Sequence, residues 1–403
     1  MEKSFWNSLD IPPSVRLNHM LSRVSEPEKD IIDFSGTDPA HNPPPFVIEE
    51  FKKYASTIGK MAGGFGGMKS LRGTISDWAR RRYALKSKSF NENNVVATNG
   101  EEEAIFLTIQ ILAEGSKDGI IVLPNPADPI YETAGAIAGL TPFRVSTMTS
   151  QQPSYRDIPE ELLEKIKVVV VNSPADPYGG ELPVLQWEWL LKQSQEYGFF
   201  ILSDERFNEI YRGKPSPGLL EMADSNDNPE FSRCVVVNGL TMRSNLVGMR
   251  SAWVGGDKEF IKKANIYRHY HGLYLPIPNQ RAAILAYSDE GHVEENRKKY
   301  AGKFKDAPKR CSSTLPVSDP LHGPFLWLRA PGDDIAFAIT AYGRTGVKVM
   351  PGQLLAKKHG NVNPAIGMIR IALVHNPGKC AAGLLELCKM INPKHRSQTI
   401  MKS

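Results

Sequence analysis

Cysteine is scarce: Cys234, Cys311, Cys380 and Cys388 are the only four in 403 residues, with no Cys-x-x-Cys and no regular spacing. That excludes a disulfide framework and a thiolate metal cluster, and reads as isolated thiols in a reducing compartment. No apolar run approaches the roughly 20 residues of a membrane helix. Met1 to Asp10 has no apolar core and no small-residue cleavage site, so no secretory leader is expected and a cytoplasmic location is. Charge of one sign is lacking too. The 49 Lys+Arg against 44 Asp+Glu leave +5, and the tightest basic run, Arg80-Arg81-Arg82, has the spacing of a solvated helix face. Neither a nucleic-acid nor a membrane partner is expected. No internal repeat is present.

What is there is ordinary globular material, 41% hydrophobic and 23% charged, long enough to bury a large core in more than one domain. From Val95 to Val254 short apolar runs alternate with helical stretches. Val95–Thr98, Ile120–Leu123, Val168–Asn172, Phe200–Asp204, Cys234–Leu240 and Ser251–Val254 read as buried parallel strands, with Thr141–Val145 a seventh. Glu102–Leu112 and Leu185–Tyr197 read as helices, the latter stopped by Gly198. The fold class is α/β, a mostly parallel seven-stranded sheet covered on both faces, followed by a smaller α+β domain. The expected boundaries are 1–44 for an N-terminal arm and part of the small domain, 45–280 for the large domain and 281–403 for the small one. The small domain carries a helix at Asp289–Lys305, a strand pair at Phe325–Leu328 and Val347–Met350, then Ile369–Val374 and a helix at Ala381–Met390. The Gly63-Gly64-Phe65-Gly66-Gly67 stretch follows no strand and is a loop, not a dinucleotide fingerprint.

Ligands of such sheets bind at the carboxyl ends of the strands, and the loops leaving those ends carry a family pattern. Asn172-Ser173-Pro174-Ala175-Asp176-Pro177-Tyr178-Gly179 resembles the Asn-x-Pro-x-Asn-Pro-x-Gly loop of class I/II (fold type I) aminotransferases. Ser203-Asp204-Glu205 resembles the strand end whose Asp meets the pyridine nitrogen of pyridoxal phosphate (PLP). Met242 to Arg250, with five residues between Met242 and Gly248, is similar to the run that begins with the family's Schiff-base lysine. Val349-Met350-Pro351-Gly352, and Asn363-Pro364 through Arg370 to Val374, match the family's small domain. Within the family the nearest likeness is to the succinyldiaminopimelate aminotransferases, and it spans nearly the whole chain.

The departures from that pattern all fall around one ligand. Met242 stands where the resemblance places the lysine, and a thioether has no nitrogen to condense with an aldehyde. Asp176 replaces an Asn that donates to the cofactor's phenolic oxygen; an ionised carboxylate has nothing to donate. Phe207 replaces a Tyr that supports the same oxygen, Asp128 an aromatic ring, and Gly239 a phosphate-binding Ser. Ala62 replaces a Tyr lent by the neighbouring subunit. Glu101 sits at a helix N-terminus that would otherwise cradle phosphate, and a carboxylate there repels one. Glu102 and Glu103 beside it have the plainer use of complementing the helix dipole.

The resemblance therefore implies a dismantled cofactor site, and the expectation is that no cofactor is used. Asp204, Arg250 (the family's phosphate guanidinium) and Arg370 (its grip on the substrate carboxylate) survive. Glu101, Asp128, Asp176 and Asp204 are the candidate catalytic residues, with Arg370, Arg250 and Phe207 as substrate-binding ones. The proposed ligand is an amino acid or small carboxylate, held by Arg370 among carboxylates whose mutual repulsion raises their pKa values. A metal is not expected: His269 and His271 have no third ligand fixed by spacing. Three functions stay open. They are a PLP-independent enzyme, a non-catalytic pseudoenzyme that senses a ligand or partners an active paralogue, and a lysine-free enzyme that still binds PLP or pyridoxamine phosphate. The resemblance also implies a homodimer.

Overall fold

Seven strands build the central sheet of the computed structural model, which describes residue 9 and residues 11–116, 118–147, 152–311, 320–358 and 360–392. Cys311's side chain and most of the stretch 1–10 lie outside that description. The strands are β1 (Val95–Thr98), β2 (Ile120–Asn125), β3 (Thr141–Ser146), β4 (Ile166–Asn172), β5 (Phe200–Asp204), β6 (Cys234–Gly239) and β7 (Ala252–Gly256), in the spatial order β1-β7-β6-β5-β4-β2-β3. The β-branched run Val168-Val169-Val170-Val171 in β4 shows why they form. Both faces of this strand are buried, and period-two alternation divides its side chains between them. Val169, Val171, Ile201 and Val236 enter one core, and Val168, Val170, Leu202, Val235 and Val237 the other.

One expectation needs correcting. β7 runs antiparallel to both neighbours. The chain between β6 and β7 carries only a five-residue helix, Leu240–Ser244, and a single 3-10 turn at Val247–Met249. It lacks the packed crossover helix that parallel strands need. Gly198 does end the helix Val184–Tyr197, in the left-handed conformation at φ 84°, where glycine pays no Cβ penalty.

The C-terminal part forms a separate three-stranded antiparallel sheet of β8 (Phe325–Arg329), β9 (Met350–Pro351) and β10 (Met368–Ala372), ordered β9-β10-β8. The expected pairing of Phe325–Leu328 with Val347–Met350 is therefore not made: β10 lies between them, and Val347–Lys348 instead pairs in parallel with Ile32–Asp33. A third apolar cluster gathers Leu17, Leu21 and Phe34 with Phe337, Val347, Ile369 and Leu384. Leu17, Leu21 and Phe34, from the stretch 11–44, thus pack with the C-terminal part. The loops that follow β2, β4, β5 and β6 meet the C-terminal part across a cleft, through Ala127 with Leu355, Asp176 with Arg370, Phe207 with Phe325 and the apolar cluster of Met242.

Candidate functional site

The register of the central sheet sets the ends of β4, β5 and β6 side by side, pairing Asn172 with Asp204 and Asp204 with Val237. Asp204 is fully buried, and such a carboxylate must be paired. The Tyr131 hydroxyl donates to its Oδ2 at 2.7 Å. Arg206, two residues on, folds back over it. Its Nε lies 3.1 Å from Oδ1 and 2.9 Å from Oδ2, its Nη2 2.7 Å from Oδ2, and its backbone N–H donates to Oδ1 at 3.1 Å. Nη1 of the same guanidinium stands 3.6 Å from both Asp128 and Glu102. Arg206 is thus the hub of the acidic cluster. Burial alone would lower its pKa, but Asp204, Tyr131 and Asp128 outweigh that and hold it charged. Asp128 also caps the next helix, accepting from the Ile130 N–H at 3.0 Å. Withdrawal from water pushes its carboxyl up, against the pull of Arg206.

The helix Glu101–Leu112 starts from Gly100, whose φ of +101° puts three acids in its first turn. They do different things. Glu101 points inward and is 2% exposed; its Oε2 accepts from the Thr241 hydroxyl at 2.9 Å, while its buried Oε1 has no hydrogen-bond partner. A Cβ placed on Gly239 would come within 2.2 Å of that Oε1, so the Glu101 carboxyl fills the space a side chain at 239 would use. Burial raises its pKa. Glu102 pairs with Arg250, and Glu103 with Arg268 and with the Asn99 backbone at 2.8 Å. The last two acids therefore have arginine partners in addition to the helix dipole.

Across the cleft, Asp176 and Arg370 close on each other. Arg370 Nη1 lies 2.6 Å from both carboxylate oxygens of Asp176, and its Nη2 donates to the Ser35 carbonyl at 2.6 Å. The turn that delivers Asp176 is fixed by its own N–H donating to Asn172 Oδ1 at 2.7 Å. Phe207 packs edge-on against Phe325, ring centroids 4.9 Å apart. Both belong to a small apolar cluster with Tyr300, Ala372, Val374 and Met242, the last only 2% exposed. The Met242 thioether is core packing between the two sheets.

The structure thus gathers Glu101, Asp128, Asp204 and Arg250 around the helix start and Arg206, and sets Asp176 with Arg370. Sequence reasoning missed Arg206, Tyr131 and Thr241. The available signal was a cation two residues after a strand-end carboxylate, in Ser203-Asp204-Glu205-Arg206. Glu205 is structural: it accepts from Tyr83 at 2.6 Å, Ser203 at 2.9 Å and the Leu219 N–H at 2.8 Å. His269 meets the Phe65 ring, and His271 lies flat on Tyr267. Among the described residues no group of three or more His, Cys, Asp or Glu side chains is placed to hold a metal ion, and no helix is long and apolar enough to cross a membrane.

Residues 29–383 match the family model of class I and II aminotransferases. A crystal structure of an aminotransferase from Neisseria meningitidis superposes with a TM-score of 0.90 at 30% identity, over 96% of this chain and all of that one (100%). The LL-diaminopimelate aminotransferases of Aquifex aeolicus and Halothermothrix orenii are similar in sequence. The first is 26% identical over 75% of this chain and 77% of its own length, the second 25% over 90% and 92%. This match corrects the expectation that no cofactor is used, because the family matched is the one whose cofactor is PLP. The side chains as placed do not fit that group. Arg206 and Tyr131 hold the Asp204 oxygens, the buried Glu101 carboxyl fills the space beside Gly239, and Asp176 holds Arg370. To enter, PLP must displace these internal partners.

Proposed function

Because this chain belongs to the class I and II aminotransferase family, we propose that it keeps the fold but not lysine-dependent amino transfer, and acts as a non-catalytic subunit of an aminotransferase-like assembly. One observation carries the reading: each arginine of the cleft is paired with a carboxylate of this same chain. Arg206 is on Asp204, Asp176 is on Arg370, and Arg250 is on Glu102. A catalytic cleft needs groups that reach a substrate, whereas these meet each other, and Met242, at the place the motif gives the lysine, is sealed in apolar packing.

The surface supports association. Ile48 and Phe51, each 39% exposed, line an apolar hollow of about 320 Å³ together with Val47, Leu246 and Met249. Exposed apolar patches of this kind mark contact sites, and class I and II aminotransferases are commonly homodimers. The partner in this reading is a second copy or an active paralogue.

A second reading is favoured by the family itself and by the survival of Asp204: a lysine-free member that binds PLP or pyridoxamine phosphate without a covalent link. In that case Asp204, once released from Arg206, would hold the ring nitrogen, Arg370, once released from Asp176, would hold a substrate carboxylate, and the cofactor would supply the electron sink. An amino-transfer assay with added PLP separates the readings. The first predicts no protein-dependent turnover with any amino-acid donor; saturable turnover would establish the second.

A further inference from the structure

We propose that Arg206 is a built-in competitor for Asp204, so that a pyridoxal-type ligand is admitted only when this guanidinium lets go. The inference rests on the family placement of the cleft and concerns binding alone, independent of turnover. Asp204 ends β5 with both carboxylate oxygens facing donors, and the donor that covers both is the side chain of its own second neighbour. A guanidinium and a protonated pyridine ring are both flat cations that donate N–H in their own plane. What Arg206 offers Asp204 is therefore the same interaction a pyridinium offers.

The remaining contacts of Arg206 reinforce this placement. Its second arm reaches 3.6 Å to Asp128 and 3.6 Å to Glu102, and the Tyr131 hydroxyl on Asp204 Oδ2 fixes the carboxylate from the other side. The same logic recurs across the cleft. The Asp176 carboxylate engages Arg370, whose Nη1 lies 2.6 Å from each of its oxygens, and so takes the guanidinium a ligand carboxylate would need. The cleft is occupied by mimics drawn from the chain itself. A ligand competing with a tethered partner sees its affinity reduced by the fraction of time the site is open.

The test is calorimetric titration of the full-length protein with pyridoxamine 5′-phosphate, whose amine cannot condense with surface lysines. It is done on the natural chain, on Arg206→Ala and Arg206→Gln, and on the double variant Asp204→Asn/Arg206→Ala. Competition predicts that Arg206→Ala binds the probe about tenfold or more tightly than the natural chain. Arg206→Gln should fall between them, and the double variant should lose the gain. If Arg206→Ala does not fold in a thermal melt, Arg206→Gln carries the comparison. Unchanged affinity in the folded variants overturns the proposal, as does a gain that survives in the double variant, which would mean mere enlargement of the cleft. Failure of both single variants to fold would make Arg206 structural and overturn it too. Turnover by the natural chain would end the reading of a non-catalytic subunit while leaving this binding comparison intact.

Discussion

At the scale of single residues, the cleft combines one orphaned acid with several paired ones, and the two kinds respond differently to change. Glu101 is buried with one oxygen unpartnered, and burial raises its pKa. A group raised on folding adds stability that is fully present below its unfolded value of 4.5 and is lost as pH climbs through the folded value. Glu101→Gln removes that loss. The variant should melt at the same temperature as the natural chain near pH 4 and at a higher one at pH 8, which thermal melts at the two pH values check. Substitution of Asp176 has the opposite effect, for a reason of pairing. Its truncation to Ala leaves the Arg370 guanidinium, 4% exposed, without its carboxylate, and removing one partner of a buried pair costs about 3–5 kcal/mol. Urea unfolding should show that loss for Asp176→Ala and a smaller one for Asp176→Asn, whose amide oxygen still accepts. Lys303 supplies a third case. It is 3% exposed, donates to the Leu373 carbonyl at 2.7 Å and sits 3.8 Å from the Tyr300 ring centroid. Burial lowers its pKa to about 8. Between there and its ordinary 10.5 the unfolded chain binds more protons, so this group makes stability rise with pH across that window. The slope should flatten in Lys303→Met, compared by urea unfolding from pH 7.5 to 10.

At the scale of elements, the junction between the helix Glu101–Leu112 and the end of β6 shows two positions that have become complementary. Gly239 is extended, with φ −162°, so its backbone does not demand glycine; the space beside it does. A side chain there meets Glu101 Oε1 at 2.2 Å and the Ala252 Cβ at 2.9 Å. Gly239→Ser should cost about 1–3 kcal/mol by overpacking, and much less in an Glu101→Ala background, a coupling that a double-mutant cycle on unfolding free energies measures. This junction also shows what the sequence could and could not convey. Continuous valine runs such as Val168–Val171 and the glycine stop at Gly198 were legible because they depend on local sequence alone. The reversed direction of β7 was not, because it is set by how a short connection turns in space. The departures at Glu101, Gly239 and Asp176 were visible as oddities of a motif. Their partners were not, since Glu101 meets Gly239 and Asp176 meets Arg370 across long separations in the chain. Arg206 was the nearest miss: it is adjacent to the motif, yet its side chain direction is a tertiary fact.

At the scale of the whole molecule, the family architecture encloses a cleft whose arginines are paired internally. Each face of the central sheet and the C-terminal part has its own apolar cluster, so the fold does not depend on the polar groups of the cleft. The two parts are joined by the ion pair of Asp176 with Arg370 and by the apolar cluster of Met242, Phe207, Phe325 and Val374. An assembly role predicts that the outer face matters more than the cleft. Sedimentation should find a dimer, and Ile48→Asp with Phe51→Lys, on the exposed hollow, should shift it to monomer without unfolding it; a natural chain that sediments as a monomer would count against the homodimer. The central claim, that the chain is a non-catalytic subunit on the family fold, is tested most directly by following amino-group transfer from a panel of amino acids to a 2-oxo acid with PLP in excess. The account predicts a rate no greater than that of free PLP at every protein concentration. A rate that saturates with donor, scales with protein and is lost in Asp204→Ala would contradict it.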